Sequence, residues 1–226
     1  HMIYIKEEEY ENQSKKTHYK VEGLFTNKKI KFHLSTHLDS VYEFLELCKE
    51  YIYKINNIEK KSSIEKRPTI LITSTLQQKS HQLLGYSPSQ TMKYAQCLYE
   101  NGFITYMRTD TPSYNDSFKS NLETFIKRKY GIQYYKEIPI SNKKAHEGIR
   151  VTDLTIEETK FETKQINKLY HLIYKHTLQT SMSDCLIENI QYKMNAPMNH
   201  SFIYNETNII FDGWKKVNDF VKTETN

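Results

Sequence analysis

The stretch Ile104-Thr105-Tyr106-Met107-Arg108-Thr109-Asp110 is the most informative part of this 226-residue chain. It follows Asn101-Gly102, a pair typical of the end of a helix. Alternate side chains share a face in extended backbone, so an extended segment would place Tyr106 and Arg108 side by side. A tyrosine phenol has a reference pKa of about 10, and a neighbouring guanidinium favours the phenolate and binds phosphate through two hydrogen bonds. The pair therefore indicates attack on a phosphate, although one tyrosine among 18 needs support from further motifs.

Sheet-like patterns occupy both ends of the chain. One helix interrupts the first of them, and Asp39 or Ser40 is its expected cap. The polar run Glu59–Arg67, which ends at Pro68, predicts a linker. Alternating or β-branched runs predict strands over residues 19–23, 30–34, 51–55, 186–194, 200–204 and 208–214.

The middle of the chain has helical periodicity instead. Ser74 with Gln77 and Ser87 with Gln90 are capping-box patterns, and Pro88 suits the first position of the second helix. These two helices form a helix-turn-helix pattern, which occurs both in DNA-binding proteins and in plain helix pairs. Two further helices are predicted over residues 116–129 and 163–181, and the histidines of the last one are expected to be solvated.

The order of sheet, helices and sheet predicts an α+β protein built from two domains. We expect a discontinuous sheet-rich arch domain, residues 1–68 with 185–226. Inserted into it is a mainly helical, helix-turn-helix-like domain, residues 69–184, which carries Tyr106.

Composition limits the partners that this chain can have. A net charge of +5 and 13% aromatic residues are compatible with single-stranded nucleic acid, although neither is specific for it. A mean hydropathy of −0.73 without a long apolar run predicts a soluble protein that does not enter a membrane. Cys48, Cys97 and Cys185 are widely spaced, so neither a disulfide framework nor a structural zinc site is expected, and the cytoplasm is the predicted location.

The motifs around the Tyr106 stretch stand in a distinctive order, which resembles that of the type IA DNA topoisomerases. The resemblance covers roughly residues 4–217, and Tyr-Met-Arg is closer to the bacterial topoisomerase I branch than to topoisomerase III. Because it corresponds to the middle of a family member, we expect the chain to be a fragment. The motifs are Thr73-Ser74-Thr75-Leu76-Gln77-Gln78, Ala95-Gln96, Leu98-Tyr99-Glu100, Gly102, the Tyr106 stretch itself, Ala145-His146-Glu147-Gly148-Ile149-Arg150 and Phe211-Asp212-Gly213-Trp214.

The resemblance implies an enzyme that cleaves and reseals single-stranded DNA. Tyr106 would form a 5′-phosphotyrosyl intermediate, and the released 3′-hydroxyl would reverse the attack, relaxing negative supercoils without ATP. Arg108 and His146 would act with Tyr106 as catalytic residues by stabilising the phosphate. The residues that match motif positions and are candidate DNA contacts are Gln96, Thr105, Thr109, Asp110 and Arg150. Arg150 could equally form a supporting salt bridge with Glu147.

Three positions depart from the family pattern. Thr111 replaces a serine, Gly148 an alanine and Val151 a proline. The reacting groups are retained, so we expect a change only in the loop geometry near His146.

The family reaction depends on Mg²⁺ held by an Asp-x-Asp-x-Glu cluster, and no two aspartates of this chain are spaced in that way. We therefore expect no metal site here, and expect the ligands in an N-terminal carboxylate-bearing domain of the same protein. The isolated chain should bind single-stranded DNA weakly and relax nothing. The resemblance implies a monomer associated with the nucleoid.

Two alternatives from other classes stay open. The chain could be a non-catalytic helix-turn-helix binding module. It could also be a tyrosine recombinase, which uses arginine, histidine and tyrosine; that family places its tyrosine last, whereas Tyr106 precedes His146.

Overall fold

Five strands form one sheet in the order β1-β2-β5-β4-β3. The computed structural model describes residues 18–138 and 146–219; the start of the resemblance near Tyr4 and Ala145 of the histidine motif lie outside them. The strands are β1 (Glu22–Phe25), β2 (Ile30–Leu34), β3 (Ile55–Glu65), β4 (Cys185–Asn195) and β5 (Ser201–Phe211), and helix α1 (Tyr42–Cys48) lies between β2 and β3 in sequence.

The first strands of the sheet enclose a small aromatic core. Strand β1 pairs antiparallel with β2, and β2 pairs antiparallel with β5 through Leu34 and Phe202. Because side chains alternate along a strand, one face of β2 is buried and contacts Phe44 of α1. The buried residues of this core are Phe32, Leu34, Phe44, Met194, Ala196 and Phe202.

Two predictions about this part of the chain are wrong. The polar run Glu59–Arg67 is not a linker, because most of it belongs to β3. Nearly every residue of β3 is exposed on both faces, so the strand has no apolar alternation and depends on main-chain pairing with β4. The expected cap at Asp39 or Ser40 is also absent, since α1 begins after Val41 without a side-chain cap.

Apart from the sheet and α1, the described residues form four longer α-helices and one short one. They are α2 (Thr73–Leu84), α3 (Pro88–Glu100), α4 (Asp116–Tyr130), α5 (Lys164–Gln179) and α6 (Lys216–Asp219). The predicted cap of α3 is confirmed: the side chains of Ser87 and Gln90 exchange hydrogen bonds with each other's backbone N–H groups. Gly85 has a φ of 71°, a left-handed conformation that lets α2 end sharply before α3.

Helix α2 begins differently from the prediction. Thr75, rather than Gln77, reaches back to the helix start, where its hydroxyl oxygen accepts a hydrogen bond of 2.9 Å from the backbone N–H of Ile72. The predicted capping box of Ser74 with Gln77 is therefore wrong. The helix starts at Thr73, whose own hydroxyl bonds to the loop that carries Tyr106.

Helices α3 and α5 pack closely, and α5 carries a stripe of buried apolar side chains. The largest fully buried side chains of this core include Leu71, Leu76, Leu98, Met107, Leu122, Ile126, Leu169, Tyr170 and Ile173. Met107 belongs to the Tyr106 loop. Burying such a side chain is worth roughly 1.5–3 kcal/mol, so Met107 anchors the loop to the helices.

The chain divides into two compact units, one formed within residues 1–62 and 188–208 and the other within 63–187 and 209–226. The presence of a sheet and a set of helices confirms the α+β class. The domain boundaries at residues 68 and 185 stay a prediction. Within the described residues, no helix is both long enough and apolar enough to span a membrane.

His176 of α5 was expected to be solvated, and this expectation is wrong. Its side chain is only 4% exposed, and its Nε2 lies 2.7 Å from the carbonyl oxygen of Thr69. Burial lowers the pKa of His176 to about 4. The neutral imidazole can donate its N–H to this carbonyl, which holds the segment before α2 against α5.

We expect His176 to make this chain less stable in mild acid. Above about pH 6.5 neither the folded nor the unfolded state carries the extra proton. As the pH falls from 6.5 towards 4, only the unfolded state takes it up, so the free energy of unfolding drops by up to roughly 3 kcal/mol. Urea unfolding at pH 7.5, 5.5 and 4.5 should show a shallower decline in His176→Gln than in the native chain. The control is His81→Gln, since His81 is exposed; equal slopes for the native chain and His176→Gln would contradict the prediction.

Candidate active site

Tyr106 is exposed on the loop between α3 and α4, and neighbouring side chains of this loop are buried. Gly102, with a φ of 75°, turns the chain away from α3. Ile104 and Met107 are buried, whereas the Tyr106 side chain is 45% exposed. The segment is a loop held by one isolated bridge, Ile104 to Val151, and is not a strand of a sheet.

Tyr106 lines a pocket of about 440 Å³, which we call the tyrosine pocket. His146 and Glu147 line it from the segment that follows α4, and Thr152 completes one side. The Tyr99 ring of α3 meets the Tyr106 ring edge to face, with 5.2 Å between the ring centres. This contact restricts where the phenol can point.

Arg108 lines a second pocket of about 410 Å³, which we call the arginine pocket. Thr109 and His146 line both pockets, so the two pockets are neighbours. Tyr106 lines the first pocket and Arg108 the second, and the segment between them is bent instead of continuing as an extended strand. The loop bends at Met107, whose buried side chain separates them.

The three catalytic candidates are accessible at the surface. Tyr106, Arg108 and His146 are all exposed. Among residues 18–138 and 146–219, no hydrogen bond or ion pair involves the Arg108 guanidinium or the His146 imidazole. A guanidinium with no protein partner offers all its N–H groups to a bound anion.

A hydroxyl from the start of α2 holds the loop beyond Met107. The Thr73 hydroxyl lies 2.8 Å from the carbonyl oxygen of Met107 and 3.0 Å from that of Thr109, and it accepts the N–H of Thr109 at 2.9 Å. The backbone N–H of Thr73 also donates to the Thr109 carbonyl. The Thr109 hydroxyl faces inward and accepts from the N–H of Thr111. We call this arrangement the threonine clasp.

Thr105 connects the Tyr106 loop with the His146 segment. Its hydroxyl donates to the carbonyl of Gly148 at 2.8 Å and accepts the N–H of Arg150 at 3.0 Å. Its backbone N–H donates to the carbonyl of Arg150. Thr105 is thus bound on both sides and holds the backbone next to Tyr106 at a fixed position relative to His146.

Arg150, a candidate DNA contact, is buried and engaged. Its Nε and Nη2 donate to the two carboxylate oxygens of Glu147, at 3.0 and 2.9 Å, and its Nη1 donates to the carbonyl of Val151. The guanidinium lies 3.8 Å from the ring centre of Phe118. Asn115 also donates to the Glu147 carboxylate. This geometry suits the supporting salt bridge with Glu147, the second role considered for Arg150.

The remaining candidates lie in different surroundings. Asp110 is exposed and lines the arginine pocket, where its carboxylate accepts from the Thr111 hydroxyl. Gln96 lines neither pocket and donates to Glu100 within α3 at 2.8 Å. A role for Gln96 in binding DNA stays a prediction.

Two departures from the family pattern have a packing reason. A Cβ atom at Gly148 would lie 2.3 Å from Cγ2 of Ile70, so the neighbouring chain leaves no room for an alanine. Val151 is fully buried and bridges Ile104, and its N–H, which a proline would lack, lies 3.4 Å from the Thr177 hydroxyl.

Sequence reasoning missed two contributors to the site. Tyr99 is 40% exposed and its ring contacts Tyr106, a contact that the sequence did not predict. Its position one turn before the Gly102 turn was the only available signal. Thr73 belonged to a family motif, yet nothing in the sequence showed that its hydroxyl would bond to Thr109, which lies 36 residues further on.

The described residues contain no group of three or more histidine, cysteine, aspartate or glutamate side chains placed to hold a metal ion. The carboxylates that line the tyrosine and arginine pockets are those of Glu147 and Asp110. Arg150 engages both oxygens of Glu147, which leaves Asp110 as a single acidic side chain at the arginine pocket.

We expect Thr73→Val to loosen the loop while preserving the shape of the residue. Leaving the Thr109 N–H and the Met107 carbonyl without the Thr73 hydroxyl costs roughly 1–3 kcal/mol each where water is excluded. Hydrogen exchange should therefore quicken at the Thr109 amide, which donates to the Thr73 hydroxyl. The matched control is Thr207→Val, which removes a hydroxyl bonded to Asn189 in the other compact unit. Unchanged exchange at Thr109 would show that the clasp does not hold the loop.

Comparison with known proteins places this site in a family. The family model described as DNA topoisomerase matches residues 1–226. DNA topoisomerase 1 of Buchnera aphidicola is 37% identical over 171 residues, covering 72% of this chain and 20% of that protein. DNA topoisomerase 1 of Campylobacter jejuni is 34% identical over 213 residues, covering 85% and 30%.

A solved structure agrees with the sequence relatives. Full-length topoisomerase I from Thermotoga maritima superposes with a TM-score of 0.75 and 27% identity, over 93% of this chain and 37% of that one. The chain spans between a fifth and a third of the length of the curated relatives compared. The resemblance to type IA DNA topoisomerases is confirmed, and this chain belongs to the DNA topoisomerase family.

Proposed function

We propose that this chain carries the strand-cleaving tyrosine of a type IA DNA topoisomerase. One observation carries the proposal: the exposed Tyr106 shares a pocket with His146, and His146 also lines the pocket of the exposed Arg108. A phosphate that contacts His146 is thereby adjacent to both a nucleophile and a guanidinium. Phosphoryl transfer needs this combination of an attacking oxygen and donors that stabilise charge.

In the proposed reaction the Tyr106 oxygen attacks a phosphodiester of single-stranded DNA. The bond from the phenolic oxygen to phosphorus forms, and the bond from phosphorus to the 3′-oxygen breaks. The phenol gives up its proton and the leaving 3′-oxygen takes one up, so a 5′-phosphotyrosyl link and a free 3′-hydroxyl result. One phosphodiester replaces another, so resealing needs no ATP, and passage of another strand before resealing relaxes negative supercoils.

Arg108 and His146 stabilise the phosphate in this proposal. Arg108 offers a charged, planar fork from the arginine pocket. His146, between the two pockets, can donate one N–H to a phosphate oxygen. The Glu147–Arg150 pair supports the backbone next to His146, so Arg150 acts by positioning and not by touching DNA.

Mg²⁺ does not fit the described residues of this chain as a bound cofactor. The Glu147 carboxylate is engaged by Arg150 and Asn115, and Asp110 alone is too few ligands for a Mg²⁺ site. We propose that the family's Mg²⁺ is held by a carboxylate-bearing N-terminal domain of the same protein, which docks near Tyr106.

The same proposal covers domains and partners. The chain has a sheet-rich arch domain, residues 1–68 with 185–226, and a helical domain, residues 69–184, which carries Tyr106. The protein acts as a monomer on single-stranded DNA in the cytoplasm, in association with the nucleoid. The chain without its carboxylate-bearing partner domain binds DNA weakly and relaxes nothing.

A covalent-trapping assay tests the nucleophile. A single-stranded oligonucleotide labelled at its 3′ end is mixed with this chain, Mg²⁺ and a separately made carboxylate-bearing domain. We expect a labelled protein adduct that is absent from Tyr106→Phe, because only the phenol oxygen can form the phosphotyrosyl bond. The matched control is Tyr99→Phe, which keeps the ring beside Tyr106 and removes a different hydroxyl.

Other outcomes of this assay separate the alternatives. An adduct that persists in Tyr106→Phe would assign the nucleophile to another residue. No adduct with the native chain, although DNA and the carboxylate-bearing domain both bind, would favour a non-catalytic helix-turn-helix binding module. A label recovered only when placed at the 5′ end would indicate the opposite, 3′-phosphotyrosyl polarity.

Arg108→Lys should slow adduct formation by about 10²-fold, because an ammonium keeps the charge but loses the planar fork. Single-turnover rates at saturating oligonucleotide measure the chemical step apart from binding. Lys93→Ala is the control, since Lys93 is an exposed cation of α3 that lines neither pocket. Equal rates for Arg108→Lys and the native chain would remove Arg108 from the proposed chemistry.

A further inference from the structure

A third pocket, of about 410 Å³, adjoins the tyrosine pocket. It lies between α4 and the loop that begins at Thr152, and Thr152 lines both pockets. Phe118, Asn121, Phe125 and Arg128 line it from the helix side. These four residues are spaced by three or four positions, so they form one stripe along α4. We call this site the aromatic pocket; its volume lies within the range of about 300–1,000 Å³ of ligand sites.

Phe118 lines the aromatic pocket and also contacts Arg150, which supports the backbone next to His146. The Phe118 ring contacts the Arg150 guanidinium on one side and meets the Tyr114 ring edge to face. Phe118 is therefore buried and fixed, whereas Phe125 is only half-buried. Phe125 is therefore the ring on which a base can stack. Stacking on aromatic rings is how proteins hold the bases of single-stranded nucleic acid without reading their sequence.

The aromatic pocket also has an unpaired cation. Three basic residues end α4, and two of them are neutralised: Lys127 by Glu123 and Lys129 by Glu157. Arg128, the exposed middle one, has no hydrogen bond or ion pair within the described ranges. A guanidinium next to a phenyl ring is suited to a phosphate attached to a stacked base.

The Asp153 carboxylate places a negative charge on the loop side of the aromatic pocket. One carboxylate oxygen accepts from both the N–H and the hydroxyl of Thr155, and these bonds lower the pKa of Asp153. The carboxylate is therefore ionised at neutral pH and repels phosphate from the loop side. This charge favours a nucleotide whose phosphate lies towards Arg128 and away from Asp153.

We propose that the aromatic pocket binds a nucleotide of single-stranded DNA on the 3′ side of the cleavage point, the strand that stays bonded to Tyr106. This inference rests on the function proposed above. The aromatic pocket and Tyr106 belong to the same compact unit, and Thr152 connects their pockets. A DNA strand bonded to Tyr106 must stay with that unit while the other DNA end moves away. We therefore expect a second contact with the bonded strand in the same unit.

Photo-cross-linking locates the base. The probe is a 12-residue oligothymidine with one 5-iodouracil, placed in turn along the strand, and the protein is the Tyr106→Phe variant of this chain, so that no cleavage is needed. After irradiation we expect a cross-link in the peptide that carries Phe118 and Phe125, found by mass spectrometry. Cross-links confined to the peptide carrying Tyr99 and Phe at position 106 would overturn the proposal.

Binding of the same oligonucleotide without iodouracil tests the cation against its matched neighbour. Arg128→Gln and Lys127→Gln remove one positive charge each from adjacent positions of α4, and only Arg128 lines the aromatic pocket. At low salt we expect Arg128→Gln and Phe125→Leu to weaken binding by about tenfold, and Lys127→Gln by less than about twofold. Equal losses for the two charge variants would mean general attraction and would overturn the proposal.

The two proposals fail separately. An adduct at Tyr106 in the trapping assay, without a cross-link to α4, keeps the topoisomerase reaction and overturns the aromatic pocket. A cross-link to α4 without an adduct leaves a DNA contact on this unit but overturns its assignment to the strand bonded to Tyr106.

Discussion

The hydroxyl of Thr105 is the contact on which the site depends. It donates to the carbonyl of Gly148 and accepts the N–H of Arg150, so one side chain joins the Tyr106 loop to the His146 segment. The loop has no neighbouring strands to fix it beyond one isolated bridge. Its position is therefore set by a few hydrogen bonds, each worth roughly 1 kcal/mol net but costly to leave unmade where water is excluded.

The ion pair between the buried Arg150 and the half-buried Glu147 gives this junction its rigidity. Taking the Arg150 charge out of water is costly, and the bidentate geometry with the extra bonds to Val151 and Asn115 offsets that cost. Such a pair contributes more to a single geometry than to stability. Because the same guanidinium packs on Phe118, it also shapes the wall of the aromatic pocket. One buried arginine thus serves the surroundings of His146 and of the proposed nucleotide site.

The arrangement of Tyr106 and Arg108 suits an enzyme whose site is completed by its substrate. The two side chains lie in neighbouring pockets, and His146 is the exposed residue common to both. In the proposed reaction a phosphate brings the two groups together, while the Tyr99 ring and the threonine clasp restrict the loop beforehand. Catalytic contacts that are long without substrate often tighten when it binds. The unengaged guanidinium of Arg108 is consistent with this, since a cation already paired inside the protein would have to lose its partner first.

Local chemistry in the sequence determined the family, the α+β class, the capping box of α3 and the residues of the Tyr106 stretch, because motif identity and helix capping depend on neighbours along the chain. It failed where partners are distant in sequence. Strand β3 resembled a linker because its pairing with β4 leaves no apolar pattern, and His176 appeared solvated because its partner, Thr69, lies 107 residues away. Only the tertiary structure decided that Arg150 is buried, that Thr73 holds the loop and that Tyr106 and Arg108 occupy separate pockets, since each depends on how segments far apart in sequence pack together.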